Sequence, residues 1–381
     1  MYFITNNPQG NYVVTADIGP DGNVTYGGSV SAAGTGNHGE DGGANAPDAT
    51  FSGGIVVVHQ DKNLLATVNT VSNTVVLFKI DPQNPTQLAM LGGPVPTEGE
   101  FPNSVVFNKA GDRLCVLNTG AVAGIACYSV SDSGLQNQGQ STRHFDLNQT
   151  TPANGPINTA SQIIFTEDEQ NLVVAIKGNP PARGYLAVWP LGTDDEHTPA
   201  AEFIRIPAPA PGGFPFSLIQ IPGKNALLSA DFAIGLDIWD FTQGVDRVNG
   251  SDRTTALAIP GEITSCWSAY SSKTGNFYIA DPAVDVITEI NVNNDLSPSI
   301  VTNYTIFAGG ANIDTAIATV NGVDYLYTLL TNALGVGIMK LNGPGDANVT
   351  ALVDFSVPVG RDNVTLTRNF MQGMAVYTKS N

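Results

Sequence analysis

NSVVFNKAGDRLCVLNTGAVAGIACYSV, residues Asn103–Val130, is the stretch whose reading decides the fold. An apolar run at Val105–Phe107 meets a turn at Asn108–Asp112, and a second run, Leu114–Leu117, follows. A Gly-rich turn then leads into a third run, Ile125–Val130. Short β-rich runs separated by Gly, Asn and Asp specify consecutive antiparallel hairpins, because those residues reach the backbone angles of a tight reversal. The phrase recurs as GIVVVHQDKNLLATVNTVSNTVVLFKI from Gly54, SQIIFTEDEQNLVVAIKG from Ser161 and FSLIQIPGKNALLSADFAIGLDIWDF from Phe216. It returns as SCWSAYSSKTGNFYIADPAVDVITEINV from Ser265 and DTAIATVNGVDYLYTLLTNALGVGIMKL from Asp314. A period of roughly 50 residues is that of propeller blades or solenoid turns.

The two chain ends complete the count. Tyr2–Asn6 matches the second strand of the phrase, and a fitting first strand stands at the opposite end in Gln372–Tyr377 (QGMAVY). Pairing the last strand with the first would close a ring and remove its open edges. The expectation is an all-β, seven-bladed β-propeller closed by a C-terminal strand, with residues 1–381 as a single domain. Blade one would be a composite of 1–30 and 371–378, followed by a long loop, 31–51.

Composition narrows the partners. Lys and Arg number 16 against 34 Asp and Glu, giving a net charge of −18. Nucleic acid and anionic membranes both call for a basic face, so neither is expected as a partner. No apolar run approaches the roughly 20 residues needed to cross a bilayer. The chain opens on MYFITNN, which reads as a strand and not as a signal peptide. That fits a cytosolic protein, or a secreted one whose leader Met1 replaces. Sequons at Asn23, Asn148, Asn249, Asn303, Asn348 and Asn363 lean towards passage through the secretory pathway, although about five would arise by chance at this composition. Cys115 and Cys127 lie on adjacent strands of one hairpin and could be bridged or free, while Cys266 is left over. No Cys/His spacing makes a zinc site, and no P-loop, dinucleotide fingerprint or Gly-x-Ser-x-Gly elbow is present. No metal and no cofactor is expected.

In a propeller, each blade's first strand lines the axial channel, and the connections between blades share one face with the second-to-third-strand turns. The starts of the inner strands place Asn103, Ser104, Ser161, Gln162, Phe216, Ser217, Cys266, Trp267, Asp314, Thr315, Met371 and Gln372 at the channel mouth. Neutral hydrogen-bonders among Phe, Trp and Met suit a mostly apolar ligand with a few oxygens. They serve equally to brace neighbouring blades. The loop Ser31–Phe51 is the longest connection and can carry His38, Glu40 and Asp41 over the channel, either as a site or as a polar lid. The turn Lys177–Gly184 brings Lys177 and Arg183 to the same face. His59, His144 and His197 are expected at the surface. Asp231, Asp281 and Asp285 are expected in local turn hydrogen bonds.

SCWSAY…GNFYIAD, FPNSVVFNKAGDRLCVLNTG and ATVNTVSNTVVLFKI together resemble the lactonase-like seven-bladed propellers. That family contains carboxymuconate lactonizing enzymes and 6-phosphogluconolactonases, and the resemblance spans essentially the whole chain. Its His-x-His-Gln signature at one inner strand reads Thr159-Ala160-Ser161-Gln162 here, so only Gln162 is kept. A lactone-opening site needs a group that titrates near neutrality, which an unassisted Ser or Thr does not supply. Fungal proteins resembling this family also include hetero-Diels–Alderases that join tropolone-derived quinone methides to the sesquiterpene humulene. That resemblance implies a cofactor-free enzyme of secondary metabolism. Gln162 with Asp314, Arg183 or His38 would then be the catalytic groups. Asn103, Ser104, Ser161, Phe216, Ser217, Trp267, Thr315 and Gln372 would hold the small-molecule substrate. Nothing in the sequence requires an oligomer. A lactonase or lactonizing enzyme and a secreted, non-enzymatic binding propeller are the alternatives.

Overall fold

The computed structural model describes residues 1–194, 197–245 and 254–379. Of seven antiparallel sheets, six run from an inner to an outer strand in chain order, as consecutive hairpins dictate, and blade one takes its inner strand from the C-terminus. Their inner strands are Gln372–Ala375, Val56–His59, Pro102–Phe107, Ala160–Phe165, Pro215–Gln220, Trp267–Tyr270 and Asn312–Val320, for blades one to seven. Blade one is closed by the C-terminal strand, with Tyr2 opposite Ala375 and Ile4 opposite Gln372. The propeller expected from the repeated phrase is the one observed.

Burial follows from this stacking. Every residue of the second strands Leu64–Asn69, Arg113–Asn118, Asn171–Ile176 and Ala226–Asp231 is buried, because a neighbouring blade covers each face. The outermost strand of blade seven, Asp346–Asp354, alternates exposed and half-buried residues because only one of its faces is covered. The core is therefore a series of wedges between blades. In one, Val173, Leu186 and Val188 of blade four meet Leu218, Leu227 and Trp239 of blade five. Each such side chain contributes about 1.5–3 kcal/mol through burial.

Cys115 and Cys127 face each other directly across their hairpin and form a disulfide, and Cys266 is free and buried. The sequon Asn249 lies outside the described residues. The other five sequon asparagines, Asn23, Asn148, Asn303, Asn348 and Asn363, are exposed.

Candidate functional site

The loop after blade one lies across the propeller axis. It is not a free polar flap. Glu40 donates its backbone N–H to Ala153 O at 2.7 Å and accepts one from Gly155 at 2.8 Å, which ties the loop to the connection before blade four. His38 is buried, with Nδ1 2.6 Å from Gly39 O and Nε2 2.7 Å from Ala46 O. Both ring nitrogens are thus occupied by the loop's own backbone. His38 pins the loop.

The end of the loop, Ala49–Gly53, is held by residues from several blades. Ala49 N–H donates to Gln372 Oε1 at 3.1 Å, and Asn103 Nδ2 donates to Thr50 O at 3.2 Å. Lys177 Nζ donates to Phe51 O. Trp267 Nε1 donates to Ser52 O at 3.2 Å, and Gly53 N–H to Ser161 O at 3.0 Å. Phe51 is held at φ 55°, a region unfavourable to a bulky residue, so its place is set by these contacts and not by local preference. Much of the expected ring of donors therefore grips the chain's own stopper.

The stopper separates two spaces. Above it is a cavity of about 350 Å³, walled chiefly by Phe51, Phe216, Phe232, Trp267, Pro156 and Ile313, with Asp48 and Cys266 opening onto it. Phe216 and Trp267 meet edge to face at 5.0 Å between ring centroids. Below it, a channel of about 530 Å³ is lined by Gln162, Ser217, Asp314 and Thr315, and Trp267 borders both spaces.

Charged side chains gather around the stopper. Lys177 is fully buried, and its ammonium lies 4.4 Å from the centre of the Phe216 ring. Burial lowers its pKa to about 8, against an opposing pull from Asp48 and Cys266. Asp48 is partly exposed, towards the cavity it lines. Burial raises its pKa, while Lys177, His38 and the amide of Gln372 act in the other direction. The Cys266 thiol is pushed well above its ordinary value by burial and then by Asp48, so it stays protonated. Gln372 Nε2 spans two acids, reaching Asp48 Oδ1 at 3.0 Å and Asp314 Oδ2 at 3.1 Å. Asp314 also accepts the Gly373 N–H at 2.6 Å, and burial raises its pKa well above the carboxylate range.

The residues anticipated from sequence divide accordingly. Phe216 and Trp267 form walls of the upper cavity. Gln162, Ser217, Asp314 and Thr315 belong to the lower channel, where Gln162 is paired with the Leu218 backbone at 2.8 and 3.1 Å. Ser217 shares a hydrogen bond with Ser268 at 2.9 Å. Asn103, Ser104 and Ser161 are buried and brace neighbouring blades, Ser161 through a 2.8 Å bond to Phe216 O. Gln372 joins the two spaces, His38 stays inside the loop, and Arg183 faces a side pocket on blade four. Asp231 and Asp281 hold backbone N–H groups of the connections before blades five and six, Gly213 and Ile263 each at 2.7 Å. Among the described residues no cluster of metal-ligating side chains is found.

Asp48 was not anticipated, because it is one acid in a polar loop. Lys177 carried a signal. In five other blades the equivalent place at the end of the second strand holds Thr70, Thr119, Asp231, Asp281 or Thr331. A long cation there departs from the repeat.

No family model matches the sequence, and no curated protein matches it either. Solved structures do. A periplasmic gluconolactonase of Pseudomonas aeruginosa superposes with a TM-score of 0.68 at 16% identity, covering 93% of this chain and 95% of its own. The likeness is one of fold. Proteins provisionally assigned as 6-phosphogluconolactonases from Bacteroides fragilis and Bacteroides uniformis give TM-scores of 0.62 and 0.60, at 14% and 16% identity. They cover 93% of this chain and 95% and 96% of their own. The chain thus shares the seven-bladed architecture of lactonase-like propellers.

Proposed function

We propose that the upper cavity binds an apolar, oxygenated metabolite and that Asp48 donates a hydrogen bond to its reacting carbonyl. The observation that carries this reading is Asp48, a carboxyl with a raised pKa, opening onto a cavity walled largely by Phe, Trp, Pro, Ile and Ala, with Asp41, Thr264 and Cys266 as its other polar lining. A volume of about 350 Å³ suits one mid-sized ligand or two small reactants, since such pockets span roughly 300–1,000 Å³. The reaction we favour is a hetero-Diels–Alder addition of a tropolone quinone methide to a sesquiterpene alkene. One C–O and one C–C bond form, nothing leaves and no electrons are exchanged with a cofactor. Catalysis would consist of holding the two reactants in register and stabilising the growing negative charge on the carbonyl oxygen. Asp48 is the donor, Phe216 and Trp267 are the walls, and Lys177 tempers the rise that burial gives the pKa of Asp48.

A second reading is supported by the company of gluconolactonase-like folds. Asp48 in its ionised form would then activate water against an apolar lactone. Turnover assays separate the two. Product from the quinone methide and humulene, lost in Asp48→Asn, supports the cycloaddition. Opening of muconolactone-type substrates, lost in the same variant, supports the second reading. Thermal stabilisation by these ligands without turnover of either would leave a binding protein and overturn both.

The Cys115–Cys127 bridge and the exposed sequons support passage through an oxidising, glycosylating compartment. A mobility shift on glycosidase treatment of protein from a eukaryotic host tests this, and unshifted protein with reduced cysteines would refute it.

A further inference from the structure

A separate cavity of about 340 Å³ opens beside blade four, lined by Asp146, Asn158, Tyr185, Arg183 and Arg205 among others. We propose that it binds a small oxyanion, a carboxylate or phosphate group on a compact metabolite, distinct from the ligand of the upper cavity.

Two guanidiniums on this cavity have no anionic partner among the described residues. Among the described residues neither Arg183 nor Arg205 makes an ion pair or a side-chain hydrogen bond, the one salt bridge found being Lys109–Glu167. Arg205 is nevertheless held in place. Its guanidinium carbon lies 3.8 Å from the centre of the Tyr185 ring, and Tyr185 stacks on Phe203 at 6.2 Å and 15°. Phe203 packs in turn against Trp189 at 5.1 Å. Stacking fixes the plane of an arginine and leaves its in-plane N–H donors unspent, the geometry for a two-point contact with an oxyanion.

The nearby acids do little to neutralise this pair. Asp146, the one carboxylate in the lining, is not within ion-pair distance of either guanidinium and accepts the Asn148 N–H at 2.6 Å. Asp237, whose carboxyl feels the field of Arg183, is buried and pushed well above the carboxylate range by burial and by Asp231. Both effects favour its uncharged form. Lys177 contributes to the wall, but its ammonium is committed to Phe51 O. A chain of net charge −18 repels anions at a distance, so two unpaired arginines on one cavity oppose the overall field and act locally.

The test is calorimetric titration of full-length protein made in bacteria, so that Asn148 at the cavity's edge carries no glycan. The probes are inorganic phosphate, citrate and benzoate in low-chloride buffer. The expected result is a dissociation constant in the millimolar range or tighter for at least one probe, weakening as salt is raised. Arg183→Gln and Arg205→Gln should each weaken it about tenfold or more at unchanged melting temperature, since both side chains are exposed. Arg205→Lys should lose most of the affinity while keeping the charge, which a merely electrostatic role would not produce. Binding of phosphate alone identifies a phosphate ligand, and binding of citrate or benzoate a carboxylate. No binding of any probe, or equal binding in both Gln variants, overturns the proposal.

Discussion

Burial shifts the proton affinities of Lys177 and Asp48, each opposes the other's shift, and the sign of that coupling can be tested. Lys177 lowers the pKa of Asp48 against the rise caused by burial. Removing the ammonium with Lys177→Met should raise it. If protonated Asp48 is the donor, activity falls as pH rises through its pKa, so the variant's pH profile should extend to higher pH. An unmoved limb would dissociate Asp48 from the reaction. Asp48→Asn should lower turnover by about a hundredfold or more, in the range that a positioned acid contributes. Lys177 also predicts a stability trend. Its pKa is about 8 in the folded protein, against an ordinary lysine value of 10.5. Between those values the unfolded chain holds a proton that the native one has lost, so stability rises with pH across this window. The gain is about 3 kcal/mol at most. Denaturant titrations at about pH 8 and about pH 10 should show that rise in the native protein and not in Lys177→Met.

Two elements fix the site, the loop 31–51 and the hairpin beneath its neighbouring connection. The loop can reach the axis only because glycine stands at its closest approaches. A Cβ on Gly39 would lie 2.4 Å from the Phe51 ring and 2.7 Å from Ala153 O. Gly39→Ala should displace the loop, weaken ligand binding in the upper cavity and leave the β-sheet circular dichroism unchanged. The disulfide secures blade three by linking residues 12 apart, and in the chain-entropy view such a loop is worth about 3 kcal/mol. Cys115→Ser/Cys127→Ser should therefore melt several degrees lower, and reductant should bring the native protein to the same temperature. The blades were legible because a hairpin is local: Leu114–Leu117 and Ile125–Val130 declare their pairing through a turn a few residues away. The candidate site was legible only in part: Cys266 and Gln372 stand at the starts of inner strands and Lys177 in a turn of the same face, but Asp48 meets them only when the ring closes. The inner-strand pattern points to Asn103, Trp267 and Gln372 as channel-mouth donors and acceptors, yet sequence could not show that residues 49–52 would occupy them. Lys177 departs from the repeat, as a cation where five other blades carry Thr or Asp.

Closure makes fold and site one problem at the scale of the whole molecule. The C-terminal strand supplies the inner edge of blade one, and it also supplies Gln372, the amide between Asp48 and Asp314. Deleting residues 372–381 would expose the edge of Tyr2–Ile4 and remove the buried Met374 and Tyr377. Tyr377 also bonds Asn63 of blade two at 2.6 Å. At about 1.5–3 kcal/mol per large apolar side chain, the two together are worth roughly 3–6 kcal/mol, a large part of the roughly 5–15 kcal/mol that holds a typical domain together. The truncated chain should elute as aggregate, because an open inner strand is a template for pairing between molecules. Gln372→Leu separates the two roles of this strand. It keeps the side chain's bulk and the strand pairing but loses the amide that favours the ionised form of Asp48, leaving buried Asp314 without that partner. The variant should stay folded and monomeric while the pH limb assigned to Asp48 moves upward, as in Lys177→Met. If instead Gln372→Leu aggregates like the truncation, the amide acts chiefly in closing the ring, and Asp48 owes its proton affinity to burial and Lys177.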